Sequence, residues 1–457
     1  MTHLAIWLLV CIAVAMVFRG RPMYVLVLVL LLWTAVPAIA GHRLTGLTTG
    51  AIAFHPASWL LLVTLGIQLF LRPRPLVDAV RRQPFLFMIV AIFIAGAFLT
   101  SRATGSGGTR LLLDQIVGPF LLFWIAVAHS HRQRSPILLL RNTIILAMAA
   151  ESLLAVVQKS FGSILFYESD YERLYWFDPE RFERWMGTTD SPLVFSLGLC
   201  VAGALALGLR AWILRSALLF LFLIGTIITQ ARTGSAVMCA VILYSILRSQ
   251  MVVWARALTV VAVAVAGIVL VRSDLVAGLV ERLTNDTGST DARLRALQFM
   301  AQNWTSYFGS GFGMTSSYTI ARDAGLQTSI ESSYLMYVVD VGLILATAYF
   351  GAQLGVFLRY GNQHAFLGGS LAAAIGLLLQ HTFSGVAGTN LSGSFIWAVL
   401  ALMVVGRSVT DAERLDFAAN DRSSTLPPRA VSPPQPVPEP PVSRPTASAI
   451  RATSRFS

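Results

Sequence analysis

A chain of 457 residues that is 56% hydrophobic and 12% charged, with a mean hydropathy of +0.69, does not compose an ordinary soluble domain, because such domains carry about 25% charged residues. The net charge of +12 rests on arginine (Lys159 is the one lysine), and the arginines fall in short loops between apolar runs, which argues against a nucleic-acid-binding surface. Cys11, Cys200 and Cys239 each lie inside an apolar run with no ligand spacing, which argues against a zinc site or a disulfide framework.

Apolar runs near the length that crosses a hydrocarbon core recur along the whole chain. They predict spans near 3–18, 23–40, 57–71, 85–100, 112–129, 136–158, 192–209, 211–229, 234–250, 252–271, 334–358, 365–384 and 393–406. The expected fold is an all-α polytopic membrane protein of about 12–13 transmembrane helices. The first run lacks a basic stretch before it and a clear cleavage site, so it reads as a membrane helix rather than a removed signal. Short basic connections hold Arg19 and Arg21, then Arg72, Arg74, Arg81 and Arg82, then Arg132 and Arg134, then Arg210 and Arg215, then Arg248 and Arg256. The positive-inside rule makes these connections cytoplasmic. The alternate set, 41–56, 101–111, 159–191, 230–234, 272–333 and 385–392, then faces outward, together with the N-terminus.

The expected organisation is N-terminal membrane helices over 1–158, a long outward-facing loop over 159–191, helices over 192–271, a large outward-facing loop over 272–333, and C-terminal helices over 334–408. Residues 409–457, with Pro427-Pro428, Pro433-Pro434 and Pro440-Pro441, read as a disordered cytoplasmic tail.

Within the first long loop, charged and aromatic residues from Tyr167 to Trp185 suit either an interfacial amphipathic helix or sugar-ring stacking. Arg184 precedes the turn Gly187-Thr-Thr-Asp-Ser-Pro192 at the mouth of a membrane helix, where a guanidinium can grip a phosphate in bidentate fashion. Arg232 lies in Thr229-Gln-Ala-Arg-Thr-Gly-Ser235, between apolar helices with almost no loop. An arginine at that depth needs a partner or an anionic ligand, or else snorkels to the interface. The following helix N-terminus adds amide donors for an anion. In the large loop, Arg293 and Arg295 sit near the start of an amphipathic helix carrying Leu294, Leu297, Phe299 and Met300. The run Phe308-Gly-Ser-Gly-Phe-Gly313 lacks the context of a nucleotide site. Glu331 stands where the chain re-enters the membrane, as a helix-capping residue or as a general base partly withdrawn from water.

The order of these features resembles the bacterial O-antigen ligase and O-antigen (exopolysaccharide) polymerase family of membrane glycosyltransferases. Arg184-Trp-Met-Gly-Thr-Thr-Asp-Ser-Pro192 is similar to the family's Arg-x-x-Gly-Thr-x-x-x-Pro stretch, and Gln230-Ala-Arg-Thr-Gly234 to its Ser-x-Ser-Arg-Gly/Thr turn. Asp291-Ala-Arg293 with Phe308-Gly-Ser-Gly-Phe-Gly313 is similar to its Ser-Arg … Trp … Pro-Leu-x-Gly-x-Gly loop. Glu331-Ser-Ser-Tyr-Leu335 with Asp340-Val-Gly-Leu343 resembles its His-Asn-x-Tyr-Leu … Glu-x-Gly-Leu ending, with Glu331 where the family carries histidine. The likeness covers about 180–360.

The resemblance implies a GT-C-like fold with a large periplasmic loop, set in the bacterial inner membrane with its site on the periplasmic side. It implies an undecaprenyl-pyrophosphate-linked glycan as donor and an acceptor glycan or glycolipid, and it implies contacts with membrane lipids and with other polysaccharide assembly and export proteins. Expected catalytic residues are Glu331 as base, with Arg232 and Arg293 against the pyrophosphate. Arg184, Arg295, Tyr334 and Trp185 are expected to bind pyrophosphate or glycan. No metal, cofactor, nucleotide sugar or nucleic acid is expected. A polymerase is favoured over a ligase. Glu151, Asp114 and His381, in or near apolar spans, keep a transporter open as an alternative, and a structural partner of an export complex is a third reading.

Overall fold

The computed structural model describes residues 2–130, 134–174, 177, 183–248, 288–326, 330, 332–361, 368–382 and 390–425. The expected span 252–271 lies outside them; the described part of each other expected span is mostly helix. Among the described residues, five helices are long and apolar enough to cross a membrane, or up to seven if each of two bent pairs is one span, and five shorter apolar helices accompany them. The chain is a multi-pass helical membrane protein, and no strand occurs among the described residues.

The helices are α1 (Thr2–Val17), α2 (Pro22–Ala35), α3 (Pro56–Leu71), α4 (Pro73–Arg82), α5 (Pro84–Thr104), α6 (Thr109–Ser130), α7 (Arg134–Phe161), α8 (Pro192–Ala206), α9 (Trp212–Ile228) and α10 (Arg232–Arg248). They continue as α11 (Gly288–Asn303), α12 (Ser316–Asp323), α13 (Ser333–Val341), α14 (Leu343–Tyr360), α15 (Gly369–Leu379) and α16 (Asn390–Thr425). Proline opens α2, α3, α4, α5 and α8, where its missing N–H lacks an intrahelical partner anyway.

Breaks the hydropathy does not show follow from Pro and Gly. The expected span 23–40 ends at Ala35 and turns by 96° before Pro37, and α3 turns by 101° into α4 at Pro73. The expected span 334–358 is broken at Gly342, whose φ of 104° no L-residue adopts readily. Helix α16 runs on past residue 409 to Thr425, beyond the expected start of disorder, because 411–425 is built largely of helix-compatible residues and proline first returns at Pro427.

The connections sort into two ends by their contacts. At one end the Ala38 N–H donates to the Asp190 carboxylate, Arg43 bonds Asp170 at 2.7 Å, and the His55 N–H donates to Asp114 at 3.1 Å. At that same end the Met314 N–H donates to Ser101 Oγ at 2.9 Å, and Arg184 Nε to the Thr229 carbonyl at 3.0 Å. These links join 41–56, 101–111, 159–191, the 229–234 turn and the large loop, the set that charge alternation puts outside. His3 lies against Gly46, so the N-terminus is at this end as well. At the other end Gln68 Nε2 donates to the Arg19 carbonyl (2.9 Å), Trp124 Nε1 to the Leu76 carbonyl (3.0 Å) and Arg141 to the Gly208 carbonyl (3.3 Å). That end carries the basic connections.

The buried centre is α8, enclosed by α7, α9, α10 and α15, with α16 beside α6. Aromatic rings fill the space between α5, α14 and α16: Phe93 stacks on Tyr349 at 4.4 Å, and Trp397 Nε1 donates to Tyr349 Oη at 3.1 Å.

Candidate functional site

The glycine-rich run is a docking segment. Its Phe312 and Gly313 N–H groups donate to the Val339 and Asp340 carbonyls at 2.9 and 2.8 Å. A Cβ on Gly311 would overlap the Asp340 and Val341 backbone, so only glycine allows this approach. The Asp340 carboxylate then accepts from the Ser317 N–H at 2.7 Å, at the start of α12. The large loop is thereby clamped onto the end of α13.

A cavity of about 930 Å³ lies between α11, α13, α14 and α15. Its mouth is polar. Arg293 comes from α11, Thr233 from the first turn of α10, Ser332 and Tyr334 from the start of α13, and His381 and Thr382 from the turn after α15. The Ser333 N–H donates to the Gln380 carbonyl at 3.2 Å, which brings the end of α15 to the start of α13 and places His381 beside Tyr334. The His381 ring lies 6.3 Å from Tyr334 and 5.1 Å from Phe350, and Tyr334 Oη bonds Thr347 Oγ1 at 2.9 Å. The apolar wall lowers the His381 pKa, since water solvates its charged form poorly there. The body of the cavity is greasy. Phe350, Leu354 and Phe357 continue from Thr347 along one face of α14 at helical spacing, a stripe of about 15 Å. Leu377 and Leu378 of α15 face it.

Arg184 and Arg232 come together at the turn before α10, outside the cavity lining. Arg184 Nε donates to the Thr229 carbonyl and Gln230 Nε2 to the Glu183 carbonyl, at 3.0 and 3.3 Å, joining the two motifs that lie 45 residues apart. Gln230 sits at φ 54°, and Arg232 opens α10 one residue before the cavity-lining Thr233. The 187–190 turn that follows Arg184 is fixed from below. Buried Glu151 accepts from the Thr188 N–H and hydroxyl at 2.7 and 2.8 Å, and Gln158 makes a two-way bond with the Gly187 backbone. Tyr171 Oη donates to the Thr189 carbonyl at 2.7 Å. Withdrawal from water pushes the Asp190 carboxyl up to about 7 and the Tyr171 hydroxyl well above its ordinary range.

Of the expected site residues, Arg293 and Tyr334 line the cavity and Arg232 adjoins it through Thr233. Arg184 stands on the neighbouring turn. Arg295 is exposed on α11 and does not line the cavity. Trp185 is 7% exposed and belongs to the hydrophobic core, so its indole is packed rather than presented to a ligand. Glu331 lies outside the described residues, although Ile330 and Ser332 on either side line the cavity. Sequence reasoning left His381 out of the site; its place near the outer end of a span was visible, but its approach to Tyr334 depends on helix packing. No group of three or more His, Cys, Asp or Glu arranged to hold a metal occurs among the described residues. No protein-family model and no curated protein sequence matches the chain.

Proposed function

We propose that the chain is a membrane glycosyltransferase of the O-antigen ligase and polymerase type, acting at the periplasmic face of the bacterial inner membrane. The observation that carries this reading is the amphiphilic cavity: arginine, hydroxyls and imidazole at its mouth and an aliphatic-aromatic stripe along its body. A polyprenyl-pyrophosphate-linked glycan has the same division, with a sugar and a pyrophosphate at one end and a hydrocarbon tail at the other. In the proposed reaction an acceptor sugar hydroxyl attacks the anomeric carbon, and the bond from that carbon to the pyrophosphate oxygen breaks. The leaving oxygen keeps the electron pair. Arg293 and Arg232, with Arg184 beside them, stabilise that developing charge. The hydroxyl proton passes to Glu331 or to His381, whose uncharged imidazole is competent to accept it.

Polymerisation of a repeat is favoured over ligation to a terminal acceptor. The test is glycan profiling in a host lacking this gene, complemented with wild type, Arg293→Ala or His381→Ala. Accumulation of single lipid-linked repeats, uncorrected by membrane-inserted variants, is the expected result. Long lipid-linked chains left untransferred would indicate a ligase. Normal glycan from both variants would remove the cavity from the reaction.

A further inference from the structure

A second cavity lies at the opposite, basic end of the bundle and is independent of the transfer site. It measures about 230 Å³ and is lined by Arg82 and Gln83 at the α4–α5 junction, Arg359 and Tyr360 at the end of α14, and Arg407 and Ser408 of α16. Three guanidiniums from three separate helices thus border one small space. Arg359 and Arg407 both lie over the Tyr360 ring, 5.5 and 5.9 Å from its centroid, and Arg407 donates to the Arg359 carbonyl at 3.3 Å. Three guanidiniums bordering one space make it attractive to an oxyanion, which each can bind by charge-assisted hydrogen bonds. The volume exceeds the ~150 Å³ of a cavity that takes up a benzene, and is ample for a phosphate group. Beside it, Phe85 in the first turn of α5 and Leu358 in the last turn of α14 are 73% and 69% exposed, and α5 packs on α14. Each lies within two residues of a cavity-lining residue, Gln83 or Arg359.

We propose that this cavity is a phosphate-group site, filled by the phosphodiester headgroup of an anionic phospholipid whose acyl chains lie along Phe85 and Leu358. A headgroup explains both halves of the arrangement, the converging cations and the adjoining exposed apolar side chains.

The test uses the full-length protein purified in detergent, loaded with equal amounts of phosphatidylglycerol and phosphatidylcholine of matched chains, with retained lipid read by native mass spectrometry. Wild type is expected to retain phosphatidylglycerol preferentially, with the preference falling about fivefold for each arginine removed in Arg82→Gln, Arg359→Gln and Arg407→Gln. Arg210→Gln, at the same end but outside the cavity, is expected to leave it unchanged. The single variants decide the matter if the triple variant does not fold. In a second arm, inorganic phosphate replaces lipid. Stabilisation of wild type but not of the arginine variants by phosphate, without any lipid preference, would confirm the anion site and overturn the lipid as its source. Equal retention of both lipids with no effect of phosphate, or a preference that survives loss of all three arginines, would overturn the site itself.

Discussion

Arg293 and Arg295 stand two positions apart on α11, and a helix turns about 100° per residue, so they face opposite ways. Arg293 lines the cavity while Arg295 is exposed. Arg293→Ala is therefore expected to lower transfer by about 10²–10³, the loss typical of one charge-stabilising donor, whereas Arg295→Ala stays close to wild type in the same turnover assay. Trp185 belongs to the core. Trp185→Ala is expected to cost about 3–5 kcal/mol of stability, seen as a lower melting temperature, with substrate affinity of the surviving folded protein unchanged. Asp190 carries a pH signature. Its folded pKa, about 7, lies above the ordinary carboxylate value, so the native state holds a proton the unfolded chain has released, and stability falls as pH rises between those two values. Asp190→Asn removes that titration and keeps an acceptor for the Ala38 N–H. Its melting temperature relative to wild type is expected to rise from pH 4 to pH 7 and then level off; a difference independent of pH would contradict this.

At the scale of elements, the glycine-rich run clamps the large loop onto the end of α13. Gly311→Ala places a methyl group on the Asp340 backbone, while Gly309 has open space around it. Limited proteolysis of the large loop should accelerate strongly in Gly311→Ala and stay at the wild-type rate in Gly309→Ala. This pair also shows what the sequence conceals. Hydropathy located the helices because each must be apolar over nearly its whole length, and arginine placement separated the two sets of connections. The break at Gly342 and the close approach of Gly311 were invisible, because a glycine's backbone angle and its neighbour across space leave no trace in composition. His381 escaped for a related reason: it is 47 residues from Tyr334, and the Ser333–Gln380 hydrogen bond that unites them is made by backbone atoms. Trp185 was ambiguous because an indole at a loop–helix junction looks the same whether it faces a ligand or the core.

Over the whole molecule, the two ends differ in kind. One collects the loops, the carboxylates Glu151, Asp114 and Asp190, and the large cavity; the other collects the short basic connections and the small arginine-lined cavity. Glu151 and Asp114, the carboxylates that kept a transporter open, are both bonded to backbone N–H groups of loops at the first end. Cysteines introduced singly at Gly50 and Ser163 are expected to react with a membrane-impermeant maleimide in intact cells stripped of their outer membrane, and those at Arg74 and Arg210 only after permeabilisation. The most direct measurement of the proposed activity is release of undecaprenyl pyrophosphate by the purified protein in nanodiscs, supplied with lipid-linked repeats. Release coupled to longer glycan, lost in Arg293→Ala, is the expected result. Intact donor after incubation with folded wild type, together with movement of the glycolipid across sealed vesicles, would contradict a transferase and leave a transporter in its place.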